Sequence, residues 1–84
     1  MQSLTLTTPI TIRQSNDSDA TALWRLAQLD SAKPLAGPAL IAQYGTEPVA
    51  AVALDGTREI ADPFVPTEGV LELLRTWVSE LRSS

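Results

Sequence analysis

Val49-Ala50-Ala51-Val52-Ala53-Leu54 is an unbroken apolar run with turn-forming residues at both ends. Gly45-Thr46-Glu47-Pro48 precedes it and Asp55-Gly56 follows it. A short apolar run between turn signals reads as a strand, and one with no polar face must be covered on both sides. It is therefore expected at the centre of a sheet, with a layer above and a layer below. Its alanines imply that something packs close against it.

The neighbouring segments supply that sheet. Ala39-Leu40-Ile41-Ala42-Gln43-Tyr44 is apolar almost throughout, and residues 45–48 form a four-residue turn of hairpin length. Asp55-Gly56 suits a tight two-residue hairpin. It leads into a last strand over Arg58-Glu59-Ile60-Ala61, ended by Pro63. Upstream, Ile10-Thr11-Ile12-Arg13 alternates apolar and polar, the period of a half-buried strand. Residues 1–9 are polar and Thr-rich, with Leu4 and Leu6 alternating, and are expected to be an N-terminal tail. Residues 10–84 are expected to form one domain, because a chain of 84 residues has only a thin core to share.

Two helices complete the pattern. Asn16 followed three residues later by Asp19 is a helix-start signal, with Asp17 and Asp19 at the positive end of the dipole. Ala20, Leu23, Trp24 and Ala27, widened by Leu26 and Leu29, then mark one apolar stripe. This helix should stop near Asp30-Ser31, before Lys33-Pro34 disfavours helix and a loop over residues 34–38 begins. The second helix is predicted over residues 67–81, with Thr67 as N-cap. Val70, Leu73, Leu74, Trp77 and Leu81 form its stripe, and Leu71 and Val78 widen it. Trp24 and Trp77 are expected in the core, although tryptophan on such a stripe also has a claim to a partner surface. Phe64, beside Pro63 and Pro66, is expected to plug the end of the sheet. The order is β-α-β-β-β-α. Three strands in succession joined by short turns make an antiparallel meander, and the fold class is α+β, an antiparallel four-stranded sheet covered by two helices.

The composition removes whole classes of chemistry. The chain has no His and no Cys, which excludes imidazole bases, thiolate nucleophiles and Cys/His zinc sites. Ten Asp+Glu against six Lys+Arg leave a net charge of −4 and a pI near 4.5. Lys33 is the single lysine, and Arg13, Arg25, Arg58, Arg75 and Arg82 are scattered. No basic stripe results, so neither nucleic acid nor an anionic membrane is an expected partner. The same balance opposes a reading as a double-stranded RNA binder. No signal-like or membrane-spanning segment stands out, and a cytoplasmic location is expected.

Glu47, Asp55, Glu59 and Asp62 could be read as general bases, but turn chemistry and a solvated edge account for them more simply. Asp17 with Asp19 offers oxygen ligands to a cation, and helix capping explains both.

With these residues in this order, the chain resembles the N-terminal half of the GNAT family of N-acetyltransferases. Ile10-Thr11-Ile12-Arg13-Gln14-Ser15-Asn16-Asp17-Ser18-Asp19-Ala20 looks like that family's first strand and helix start. Ala39 through Ala51 is similar to its second and third strands, where V-A-x-x-D-G-x-x-V-A is typical. Asp62-Pro63-Phe64-Val65-Pro66 sits where the fourth strand delivers V-x-P into the acetyl-CoA loop. The resemblance implies that Val65, Thr67, Gly69 and Val70 are the cofactor-binding positions; no catalytic residue and no metal site is expected from the residues themselves. Two departures accompany it. Of the family's pyrophosphate loop only Gly69 survives, and Glu68 places an anion where phosphates would bind. The family also continues into a fifth strand, a fourth helix and a sixth strand, which complete the cofactor cleft and supply a Tyr acid. Tyr44, the single tyrosine, is not at that position.

Two functions are carried forward. One is a non-catalytic, acetyltransferase-like binding or assembly module without a cofactor. The other is an acetyl-CoA-dependent N-acetyltransferase completed by a second chain. In the family the last strand's outer edge is covered further along the chain, and a free edge invites pairing. Arg58, Glu59, Asp62 and Pro63 blunt it. Homodimerisation, or binding of another protein, is expected through this strand or through the apolar helix faces.

Overall fold

The computed structural model describes residues 10–35 and 37–83. The tail expected over residues 1–9 lies outside them. Four strands, β1 (Ile10–Gln14), β2 (Ala39–Tyr44), β3 (Glu47–Ala53) and β4 (Glu59–Ala61), form one antiparallel sheet in the order β1-β2-β3-β4. A 3-10 turn over Asp17–Asp19 leads into α1 (Ala20–Leu29), and α2 (Glu68–Ser83) follows β4. The expected class and order are observed.

β3 lies inside the sheet, and Val49 to Ala53 are all buried. Ala51 and Ala53 join Ala39, Ile41 and Ile60 beneath Leu23, Leu26 and Ala27 of α1. Ala50 and Val52 join Leu40 and Ala42 beneath Val70, Leu74 and Val78 of α2. The alanines do bring a layer close: Ala27, Ala39 and Ala51 are each fully excluded from solvent.

Both turns differ from expectation. The β2–β3 hairpin closes on Gly45-Thr46 alone, with Gly45 at φ +62 where a two-residue loop needs it. Glu47 and Pro48 are already in β3, because a bulge absorbs the irregularity. Ala42 pairs with Ala50 and Gln43 with Pro48, leaving Val49 as the extra residue. Pro48 is tolerated at such a place, next to a bulge near the strand start. Asp55-Gly56 does not close a two-residue hairpin either. Five residues, 54–58, separate β3 from β4. The Gly56 N–H returns to the Ala53 carbonyl, and Asp55 Oδ1 accepts from the Thr57 N–H and hydroxyl.

α1 ends as the sequence predicts, in a Schellman motif. Ala32 N–H donates to Ala27 O and Ser31 N–H to Gln28 O, with Ser31 at φ +53. Thr67 occupies the N-cap position of α2, where its carbonyl accepts from the Leu71 N–H.

The large aromatics depart most from the sequence reading. Trp24 and Trp77 are 53% and 45% exposed, and Phe64 is 82% exposed. On α1, Leu23, Leu26 and Ala27 fill the contact with the sheet and the Trp24 indole is left exposed at its margin. On α2, Val70, Leu74 and Val78 recur every four residues and centre the helix over β3 and β2. Leu73, Trp77 and Leu81 consequently lie along one flank. Phe64 plugs nothing.

Candidate functional site

The segment expected to hold a cofactor is mostly committed to the core. Val70 and Thr67 are buried, and Val65 packs against the α2-side cluster. Gly69 alone is open: a Cβ added there would meet no atom within 4 Å. Close packing against the preceding strand therefore does not explain this glycine. The free N–H groups of a helix start attract phosphate, but the charge in this first turn is the exposed Glu68 carboxylate. No basic residue lies among residues 65–70. The donor set does not suit the pyrophosphate of acetyl-CoA.

Three of the four acids singled out from the sequence as base candidates have structural partners. Glu59 pairs with Arg75, which holds its carboxyl below the usual range. The hydrogen bonds from Thr57 do the same for Asp55. Asp62 Oδ1 accepts the Phe64 N–H at 2.8 Å. Glu47 is exposed at the start of β3. No group of three or more acids that could hold a metal occurs among the described residues.

The start of α1 carries a dense cluster of side-chain hydrogen bonds. Asn16 and Asp19 form the expected capping box: Asn16 Oδ1 accepts from Ser18 N–H and Asp19 Oδ2 accepts from Asn16 N–H at 2.8 Å. Arg13 at the end of β1 donates to both Asp19 oxygens, at 2.7 and 2.8 Å, and to Gln43 Oε1 at 2.7 Å. The fork of Arg13 hydrogen bonds, reinforced by the Asn16 amide and opposed by burial, lowers the Asp19 carboxyl to about 2. With both oxygens used, Asp19 is not available to a cation beside Asp17. The sequence reading identified the cap and missed the ion pair, whose signal was an Arg closing a strand six residues before the capping acid.

Beside this start lies an open groove of about 640 Å³ between α1 and the following loop. Leu23, Leu35, Pro34 and Pro38 give it apolar walls, Trp24 lies along it, and Asn16 and Asp17 line it with polar atoms.

A second apolar surface lies across the sheet. β1 pairs Ile10 with Tyr44 and Ile12 with Ala42, so both isoleucines face the side that carries α2. Ile10 is 45% exposed there, on the same face as the flank formed by Leu73, Trp77 and Leu81. Arg75 turns the other way, to Glu59 on β4, and Arg82 lies across Gly56 in the β3–β4 turn.

β4 itself is less open than a terminal strand would be. Asp30 Oδ2 accepts the Ala61 N–H at 3.1 Å, an amide that faces away from β3. Arg58 donates to the Lys33 and Pro34 carbonyls, holding the loop after α1 beside the strand.

These features define a small α+β domain with an antiparallel sheet between two helices, a groove beside α1 and an uncovered apolar flank on α2. No helix among the described residues is long and apolar enough to cross a membrane. No protein-family model matches the chain, and neither a curated protein nor a solved structure is significantly similar to it.

Proposed function

We propose that this chain is a binding and assembly module on an acetyltransferase-like half-fold, without catalysis of its own. The observation that carries the reading is the flank Leu73-Trp77-Leu81, whose three large apolar side chains are 42–54% exposed on the most amphipathic element of the chain. Surface of this kind marks interaction sites, and tryptophan is enriched where binding energy concentrates. The β-α-β-β-β-α order and the core role of Thr67 and Val70 support the same view. A net charge of −4 favours a protein partner over nucleic acid or an anionic membrane. A cytoplasmic setting belongs to this proposal.

The competing reading, an acetyl-CoA-dependent N-acetyltransferase completed by a second chain, draws on the open surroundings of Gly69 at the start of α2. Titration with acetyl-CoA and with CoA separates the two, followed by tryptophan fluorescence and melting temperature. A ligand that binds only the folded state raises its stability by ~2.7 kcal/mol at a hundredfold excess over Kd. The assembly reading expects no shift at millimolar ligand. A saturable shift that Glu68→Gln strengthens overturns it in favour of the enzyme.

A further inference from the structure

We propose that the cleft between α1 and the start of β3 binds a small free α-amino acid, through its two charges and a short apolar side chain. This cleft shares no residue with the groove beside Trp24, and its use is independent of the partner on the α2 flank.

The backbone builds the cleft. Ala22, Arg25, Leu26 and Leu29 succeed one another at the spacing of a single helix strip and form one wall. The other wall is Glu47 and Pro48 at the start of β3, with Asp62 just after β4. These three come together because Asp62 N–H donates to Val49 O at 2.8 Å, at the bulge in β3. Bulges re-aim the side chains beside them and are over-represented next to active sites.

Charge names the ligand. Arg13, Arg58 and Arg75 all donate to protein acceptors. Among the described residues Arg25 makes no hydrogen bond and no ion pair, although two carboxylates line the same cleft. Glu47 is equally without a partner among them, and Asp62 uses only Oδ1, for the Phe64 N–H. The two walls thus carry unspent charge of opposite sign. A simple anion would meet the carboxylates, and a simple amine would meet the guanidinium. A zwitterion satisfies both. Its carboxylate accepts from the planar fork of Arg25, and its ammonium donates to Glu47 and Asp62.

Size limits the side chain. The cleft holds about 90 Å³, room for on the order of six non-hydrogen atoms and well short of a drug-sized pocket. Leu26, Leu29 and Pro48 supply its apolar surface. Amino acids the size of alanine or valine match this space, and long or aromatic ones exceed it. Arg25 and Glu47 are exposed, so the expected Kd is on the order of millimolar. The larger groove has no such pairing, because Asp17 is the single charged residue among those that line it.

The test is titration of the full chain with L-alanine and L-valine, followed by two-dimensional amide NMR and calorimetry. Isovalerate lacks the ammonium and isobutylamine lacks the carboxylate, which makes them matched controls. Arg25→Gln removes the positive wall, and Glu47→Gln combined with Asp62→Asn removes the negative one. Asp62→Asn keeps an oxygen for the Phe64 N–H, and circular dichroism checks that each variant is folded. The expected result is a saturable shift of the Ala22, Leu26 and Leu29 amides with valine. Binding should be at least about tenfold weaker for either control compound, and for valine with either variant. No saturable shift at tens of millimolar alanine or valine overturns the proposal. Valine binding undiminished in Arg25→Gln, or shifts confined to residues outside the cleft, overturns the site. Isobutylamine binding as tightly as valine overturns the zwitterion and leaves a cation held by the acids. The assembly reading survives any of these results, since neither variant touches α2.

Discussion

The two faces of the sheet are closed by different kinds of force. On the α1 side the sheet offers Ala39, Ala51 and Ala53 beside Ile41 and Ile60, and directional bonds hold the helix at both ends. Arg13, Asn16 and Asp19 fix its start, and Asp30 and Arg58 fix its exit against β4. On the α2 side the contact is made by Val70, Leu74 and Val78 on Leu40, Ala42, Ala50 and Val52, with one solvent-exposed ion pair, Glu59–Arg75. Non-directional packing stabilises without dictating position as tightly. Neither kind of force covers everything: Trp24 on the bonded helix is 53% exposed beside a groove, and Trp77 on the packed helix is 45% exposed along a flank.

The largest effect should come from the packed side. Leu74 is fully buried, and Leu74→Ala is expected to cost about 3 kcal/mol in urea unfolding. A loss below about 1 kcal/mol would show that α2 is held by something other than its apolar stripe.

Next is the bonded side. Asp19 is buried and its carboxyl is lowered from 3.8 to about 2. A depressed folded-state pKa contributes stability that is complete above the unfolded value and lost as pH falls through the folded one. The pair should therefore contribute about 2 kcal/mol at neutral pH and lose it between about pH 4 and pH 2. Asp19→Ala should remove a similar amount at pH 7 and flatten this acid limb of the stability curve. Amide exchange at low pH should loosen α1 before α2, and the reverse order would break the contrast between the faces. Glu59 and Arg75, with the Glu59 side chain about a third exposed and that of Arg75 about half, should add little to the acid limb.

Two small gains test the helix ends. Ser31 holds a left-handed conformation at the exit of α1, so Ser31→Gly should raise stability by up to about 1 kcal/mol. Gly69 meets nothing within 4 Å at the Cβ position, and Gly69→Ala should raise it by about 0.5 kcal/mol. Thermal melts read both. A destabilising Gly69→Ala would show that the open space at the start of α2 is needed by the folded chain.

What was readable in the sequence follows from how local each feature is. The Asn16–Asp19 box, the stop at Asp30-Ser31 and the central position of the apolar strand depend on neighbours or on simple burial, and all three are found. The bulge at Val49 depends on how two strands register, so a turn over residues 45–48 was read where only Gly45-Thr46 turn. The tryptophans lie correctly on their apolar stripes. A stripe says which side of a helix is apolar, however, and not how much of that side the sheet covers. Among the candidate positions, Val70 and Thr67 proved to be core and Gly69 open, a division set by the rotation of α2 rather than by residue type. The Arg13–Asp19 pair joins a strand to a helix start and becomes visible only when the loop between them is closed.

Asp30 has a consequence for how the chain is made. It precedes Ala61 by 31 residues, so during synthesis the acceptor for that amide has left the ribosome before β4 has. β4, one of the two edge strands, emerges to a ready-made acceptor, and its outward Ala61 amide need not wait unpaired beside other nascent chains.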